Sequence, residues 1–194
     1  LVTISNKPPA IKKLDHDYDQ NRGFSGPKLS VALKRLSQIF NDVLGEDYGV
    51  KAYAGKDMPP ILTPEVGELT TLIYSREWHK VEPTHSATTM GQYQAHMHTV
   101  SIQVVVGNEA EEIGDMVEKT DDLGLLFTRA VNSNSYLPDE EGKSQLLMPM
   151  QLVGGVADSM TWGVIDGHPM VWRTCRMSLE LLLEHWVEGP NYGR

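Results

Sequence analysis

The run from Gln94 to Asn108, QAHMHTVSIQVVVGN, changes character at every second residue over most of its length. Strand side chains alternate, so His96, His98, Val100, Ile102, Val104 and Val106 share one face, with Met97, Thr99, Ser101, Gln103 and Val105 on the other. The first face is core-like. The second is small and polar with apolar ends. The C-terminal block repeats this pattern: Val171, Arg173, Cys175, Met177, Leu179, Leu181 and Leu183 alternate with Trp172, Thr174, Arg176, Ser178, Glu180, Leu182 and Glu184. A helix from Ser178 to Trp186 competes, since Leu179, Leu182, Leu183 and Trp186 also fit a 3.6-residue period, but the longer period-2 run favours a strand. Two long strands, each with one apolar face, commit the chain to a sheet packed on an apolar layer.

The helices that supply this layer are visible too. Leu29, Leu33, Leu36, Phe40 and Val43 recur at spacings of four and three, which predicts a helix after Pro27 that ends near Gly45. A second helix is predicted over EAEEIGDMVEKTDDLGLLFTRAV, with Ile113, Met116, Val117, Thr120, Phe127 and Val131 at helical spacing and early acids suited to the positive end of its dipole. YGVKAYA and ELTTLIYSREWHK read as strands, Val81 to Gly91 as a polar hairpin loop or flap, and NSNSYLPDEEGKS as a long exposed loop. QLLMPMQLVGGVA and SMTWGVI read as two strands parted by Ala157-Asp158, and DGHP as a tight turn. The fold class expected is α+β, a mainly antiparallel or mixed β-sheet with two amphipathic helices on one face. Residues 1–27, rich in Lys, Asp, Pro and Gly, are expected to form an extended N-terminal arm, and residues 28–194 a single domain.

Charge narrows the function. The chain carries −9 overall, and residues 61–194 hold most of the excess acid, so most of the surface should repel a free polyanion. The stretch up to Arg35 has seven basic and three acidic residues and suits an acidic neighbour. Cys175 is the single cysteine, which excludes an internal disulfide and fits a reducing compartment. No apolar run approaches the roughly 20 residues of a membrane span, and LVTISNKPPAIKKLDHDYD lacks the apolar block of a signal peptide, so a soluble, unsecreted protein with no membrane partner is expected.

Motifs that carry chemistry fail on inspection. His96 and His98 could share a metal if His85 or His79 supplied a third ligand, but the rest of their face is aliphatic, and structural histidines are the simpler expectation. Asp15, Asp17 and Asp19 imitate the first half of a calcium loop, yet the sixth place is Gln20 and the twelfth Gly26. Gly142-Lys143-Ser144 lacks the earlier glycine of a phosphate loop, where Leu137 stands instead. GFSGP lacks the residue that a nucleophile elbow places between Ser and the second Gly, and His168 beside Asp166 has no marked nucleophile. No catalytic residue, cofactor or metal ligand is assigned, and the chain is not expected to be an enzyme. Trp78, Trp162 and Trp172 fall in predicted strands, where an aromatic serves a core or a subunit contact.

The order of elements resembles the tail terminator, or tail-completion, proteins of long-tailed bacteriophages. The likeness is carried by the helix PKLSVALKRLSQIFNDVL, strands around TTLIYSREW, HTVSIQVVVGN running straight into the acidic helix, and the closing VWRTCRMSLELLLEHW, over about residues 28–187. The arm and the loops near residues 81–91 and 133–145 exceed a minimal member, which leaves room for a related neck or head–tail connector role; a metal-dependent enzyme is the remoter alternative. The resemblance implies a virion protein, assembled in the host cytoplasm as a six-membered ring. Such a ring caps the head-proximal end of the tail tube, stops tube polymerisation and docks the head connector, while DNA passes through its lumen. The candidate subunit-interface or lumen residues are Thr99, Ser101, Gln103, Thr174, Arg176 and Glu180 on the polar strand faces, Glu109 and Glu112 at the acidic helix, and the basic arm.

Overall fold

The computed structural model describes residues 24–25, 28–59, 66–81, 91–138, 142, 144, 146 and 148–188. Six strands form one mixed sheet: β1 (Phe24–Ser25), β2 (Val50–Ala54), β3 (Leu69–Val81), β4 (Gly91–Glu109), β5 (Gln151–Ile165) and β6 (His168–Glu188). The order is β1-β6-β4-β3-β2, with β5 also on β6; β2 and β3 are parallel and the other pairs antiparallel. β4 and β6 pair along the whole of β4, so both period-2 runs are strands and the helical alternative at Ser178–Trp186 is excluded. The two strands expected around Ala157-Asp158 are one strand, whose pairing with β6 shifts between Val156 and Ser159.

The sheet is apolar on one face because Val100, Ile102, Val104 and Val106 of β4 stand opposite Leu179, Met177, Cys175 and Arg173 of β6. Against this face pack α1 (Leu29–Tyr48), α2 (Ile113–Asp121) and α3 (Leu123–Ser133). Leu36, Phe40, Leu44, Phe127 and Val131 are buried with the strand residues in one core, and Phe40 meets Phe127 edge to face at 4.8 Å between ring centroids. The Arg173 side chain sits among these apolar positions by turning to α2, where Nη1 donates to the Val117 carbonyl at 3.0 Å, to the Thr120 hydroxyl and to Asp121 Oδ1 at 3.0 Å.

Two helix boundaries differ from the sequence reading. α1 passes Gly45 and stops at Gly49, whose φ of 67° is the left-handed conformation that glycine supplies at a helix end; its N–H bonds the Gly45 carbonyl. The second helix is two helices, preceded by a 3-10 turn at Ala110–Glu112. The break falls at Asp122, where φ and ψ leave the helical range and the carbonyl accepts from Leu125 and Leu126 to start α3. The loop after α3 is not wholly exposed: Leu137, Leu146 and Met150 enter the core, and the Pro138 carbonyl accepts from Arg35 Nε at 2.7 Å. At the N-terminal arm, Phe24–Ser25 joins the sheet beside Val187 and Trp186, while residues 1–23 and the flap at 82–90 lie outside the described residues.

The two long edges of the sheet are treated differently. At β2 the side chain of Asn41, from α1, bonds both outward groups of Ala52: Nδ2 donates to the carbonyl at 3.0 Å and Oδ1 accepts from the N–H at 2.7 Å. One carboxamide thus stands in for the next strand and blocks this edge. The opposite edge belongs to β5 and carries no such plug among the described residues.

Candidate functional site

Register brings six of the eight sequence-selected residues onto one surface. Thr99 pairs with Glu180, Gln103 with Arg176 and Val105 with Thr174, while Ser101 pairs with Ser178. They share the sheet face turned away from the helices, joined by Tyr74 of β3, whose hydroxyl donates to Gln103 Oε1 at 3.1 Å. Glu109 and Glu112 are not part of it; they stand, exposed, where β4 turns into α2. The polar face is also less wet than its composition predicts. Ser101 is completely buried, Val105 and Thr70 nearly so, because small residues at the centre of the sheet are shaded by longer neighbours in register. The Ser101 hydroxyl has no hydrogen-bond partner among the described residues.

His96 and His98 occupy the opposite face, in register with Leu183 and Leu181 of β6. A register shift between Ser75 and Glu77 exchanges the faces of β3 there, so that Trp78 stands opposite His98 and Lys80 opposite His96. The rings of Trp78 and His96 lie 5.1 Å apart, and those of His96 and His98 6.4 Å apart, edge on. His98 is only 7% exposed, and neither ring nitrogen has a hydrogen-bond partner among the described residues. Burial, and then the neighbouring His96, push its pKa below the ordinary value; burial and Lys80 do the same to His96. Among the described residues no three His, Cys, Asp or Glu side chains are grouped as a metal site would need. The two rings pack between Trp78 and the leucines of β6, while His85, one of the third ligands considered, lies outside the described residues.

A pH dependence follows from these depressed values. Above about pH 6.5 the imidazoles are neutral in both folded and unfolded chains; as pH falls below that, the unfolded chain takes up protons that the folded chain resists. Stability is therefore lost from about pH 6.5 down through the folded pKa values, with His98 contributing at most about 1.4 kcal/mol per pH unit and the more exposed, solvent-screened His96 less. Urea unfolding at pH 7.5 and 5.5 should show this loss, and His98→Leu should reduce it. An equal loss in that variant would place the proton uptake elsewhere.

A third feature, the outward edge of β5, escaped the sequence reading, although the DGHP turn that fixes it was expected. β5 and β6 are joined by Asp166-Gly167, with φ of 50° and 88°, between the last pair Ile165 and His168. This is the type I′ turn that suits a two-residue hairpin, and it makes Ile165 and His168 a hydrogen-bonded pair. Counting back, Gly163 and Thr161 bond to β6, while Val164, Trp162 and Met160 turn their N–H and carbonyl groups outward. Pro169, which has no N–H, stands opposite Val164, where no donor is needed. Val164 and Trp162 are 68% and 60% exposed, and Met160 and Ile165 are exposed as well. On the other face Trp172 lies against Gly163 so closely that a Cβ there would come within 2.7 Å of the indole ring. The sequence held the signal in the Asp-Gly turn, since that turn fixes which backbone groups face out.

No helix among the described residues is long and apolar enough to cross a membrane. No protein-family model matches this chain, and no curated protein matches it in sequence.

Proposed function

We propose that this chain is a structural subunit that works by assembling with further copies of itself, as the ring-forming tail terminator of a long-tailed bacteriophage. The observation that carries the reading is the exposed apolar stripe Met160, Trp162 and Val164 on a sheet edge. Single exposed apolar residues are ordinary on a protein surface, but a contiguous run with open backbone groups is a place for another chain. The polar sheet face, at Thr99, Gln103, Thr174, Arg176 and Glu180, and the exposed acidic turn at Glu109 and Glu112 supply two further, chemically different surfaces, as a rotationally closed ring requires. A net charge of −9 suits a ring that conducts DNA without holding it. In this role the ring meets the tail tube on one side and the head–tail connector on the other.

Native mass spectrometry of the purified protein, alone and with tail tube protein, tests the proposal. The expected result is a metal-free assembly of six copies or a multiple of six, present from the start or formed when tube protein is added. A metal-loaded monomer that ignores the tube would refute it and return attention to His96 and His98.

A further inference from the structure

We infer that the outer edge of β5 at Ser159–Ile165 is a self-pairing strand, through which two copies of this chain join antiparallel across a two-fold axis. The geometry begins with the backbone. Met160, Trp162 and Val164 are the residues whose donors and acceptors face outward, as derived from the Asp166-Gly167 turn. A two-fold axis through Trp162 sets Trp162 opposite its equivalent, and Met160 opposite Val164 of the second copy. Each of these is a hydrogen-bonded pair that exchanges two bonds, so about six bonds close the junction. The same three residues carry exposed apolar side chains on one face, which brings the two indoles side by side and flanks each with Met160 and Val164 contacts.

Charge and edge chemistry favour a second copy over other occupants. The chain carries −9, so copies repel one another over most of their surfaces. The segment SMTWGVI has no charged residue, and antiparallel self-pairing therefore sets no like charges opposite each other. Natural edge strands are commonly protected by lysine, proline or a bulge. β5 has a register shift before Ser159 and none from Ser159 to the turn, so this segment pairs regularly with β6 and stays straight enough to be matched. The other long edge cannot serve as its partner at the centre, because Asn41 already occupies the outward groups of Ala52. Edge therefore meets the same edge, and the sheets of two copies become continuous.

This pairing is separate from the ring and combines with it: two rings joined at β5 would form a double ring of paired subunits. The test is native mass spectrometry of the wild-type protein beside Trp162→Lys and Val164→Lys, two changes at exposed positions, with circular dichroism to verify that each variant folds. Amide exchange of the wild-type protein at Met160, Trp162 and Val164 provides a readout that needs no variant. The expected result is an even-numbered wild-type assembly whose copy number halves in both variants, with those three amides slowed at least tenfold in the assembly relative to the halved form. Twelve copies falling to six would uphold both the pairing and the ring. A dimer falling to monomer would uphold the pairing and sink the ring. Six copies unchanged by either variant would leave the ring standing and overturn the pairing. A monomeric wild-type protein, or three protected amides in a monomer, would overturn the pairing as well.

Discussion

Replacing Phe127 by Ala should lower the unfolding free energy by about 3–5 kcal/mol. Phe127 is fully buried on α3, and its ring meets Phe40 of α1 at 4.8 Å and 84°. This contact lies where the two helices touch each other above the sheet, with Leu36, Leu44, Ala130 and Val131 in the same core. The loss combines the transfer free energy of the ring with a cavity that two helices and a rigid sheet cannot fully close. An edge-to-face pair adds about 0.5–1.5 kcal/mol beyond the buried area, so the partner ring also loses its aromatic contact. A urea titration should show a lower midpoint with an unchanged slope. Phe127→Leu should lose less, because it refills part of the space. Equal midpoints for Phe127→Ala and the wild type would mean that α3 is not fastened to the core as described.

The second large effect is expected at Arg173. Its guanidinium lies on the core face of β6, and the side chain is 13% exposed, so its donors must be satisfied within the protein. They reach the C-terminal turn of α2, at the Val117 carbonyl, the Thr120 hydroxyl and Asp121. Asp121 is 61% exposed, and that ion pair on its own adds little. The bonds from a charged donor to the less exposed carbonyl and hydroxyl weigh more, and Arg173→Met should cost about 2–3 kcal/mol. Amide exchange should accelerate over Ile113–Asp121 while the centre of β4 stays protected, and added salt should change the difference little. A loss that vanishes in high salt would instead assign the effect to the exposed ion pair.

The legibility of the fold varies with how local its cause is. β4 and β6 could be read from alternation because each keeps one face in the core over many residues without a slip, as the pairing of Val100 with Leu179 and Ile102 with Met177 shows. β3 does not alternate as cleanly, for a physical reason: the shift between Ser75 and Glu77 moves Trp78 and Lys80 to the face of the histidines, so one parity does not describe the strand. The helix break at Asp122 was hidden because Met116, Thr120, Leu123 and Phe127 keep helical spacing across it. Six of the candidate surface residues converged because alternation assigns faces and antiparallel register aligns them. Glu109 and Glu112 separated because helix polarity, and not strand parity, had selected them. The plug at Ala52 could not be read at all, since a side chain 11 residues away makes it.

The length of the β4–β6 pair has a mechanical consequence. Nineteen residues in register span roughly 60–65 Å, about twice the roughly 30 Å of the 20-residue α1, the longest described helix. Inter-strand bonds in an antiparallel pair lie across the strands. A force along the strand axis therefore loads the ladder in shear, with many bonds sharing it at once, whereas a force that peels one strand from its end loads them one by one. The molecule is stiff along this axis and weak at its ends. A subunit gripped at both ends of the pair would transmit tension from one to the other as a tie-rod does, with the helical layer bearing little of the load.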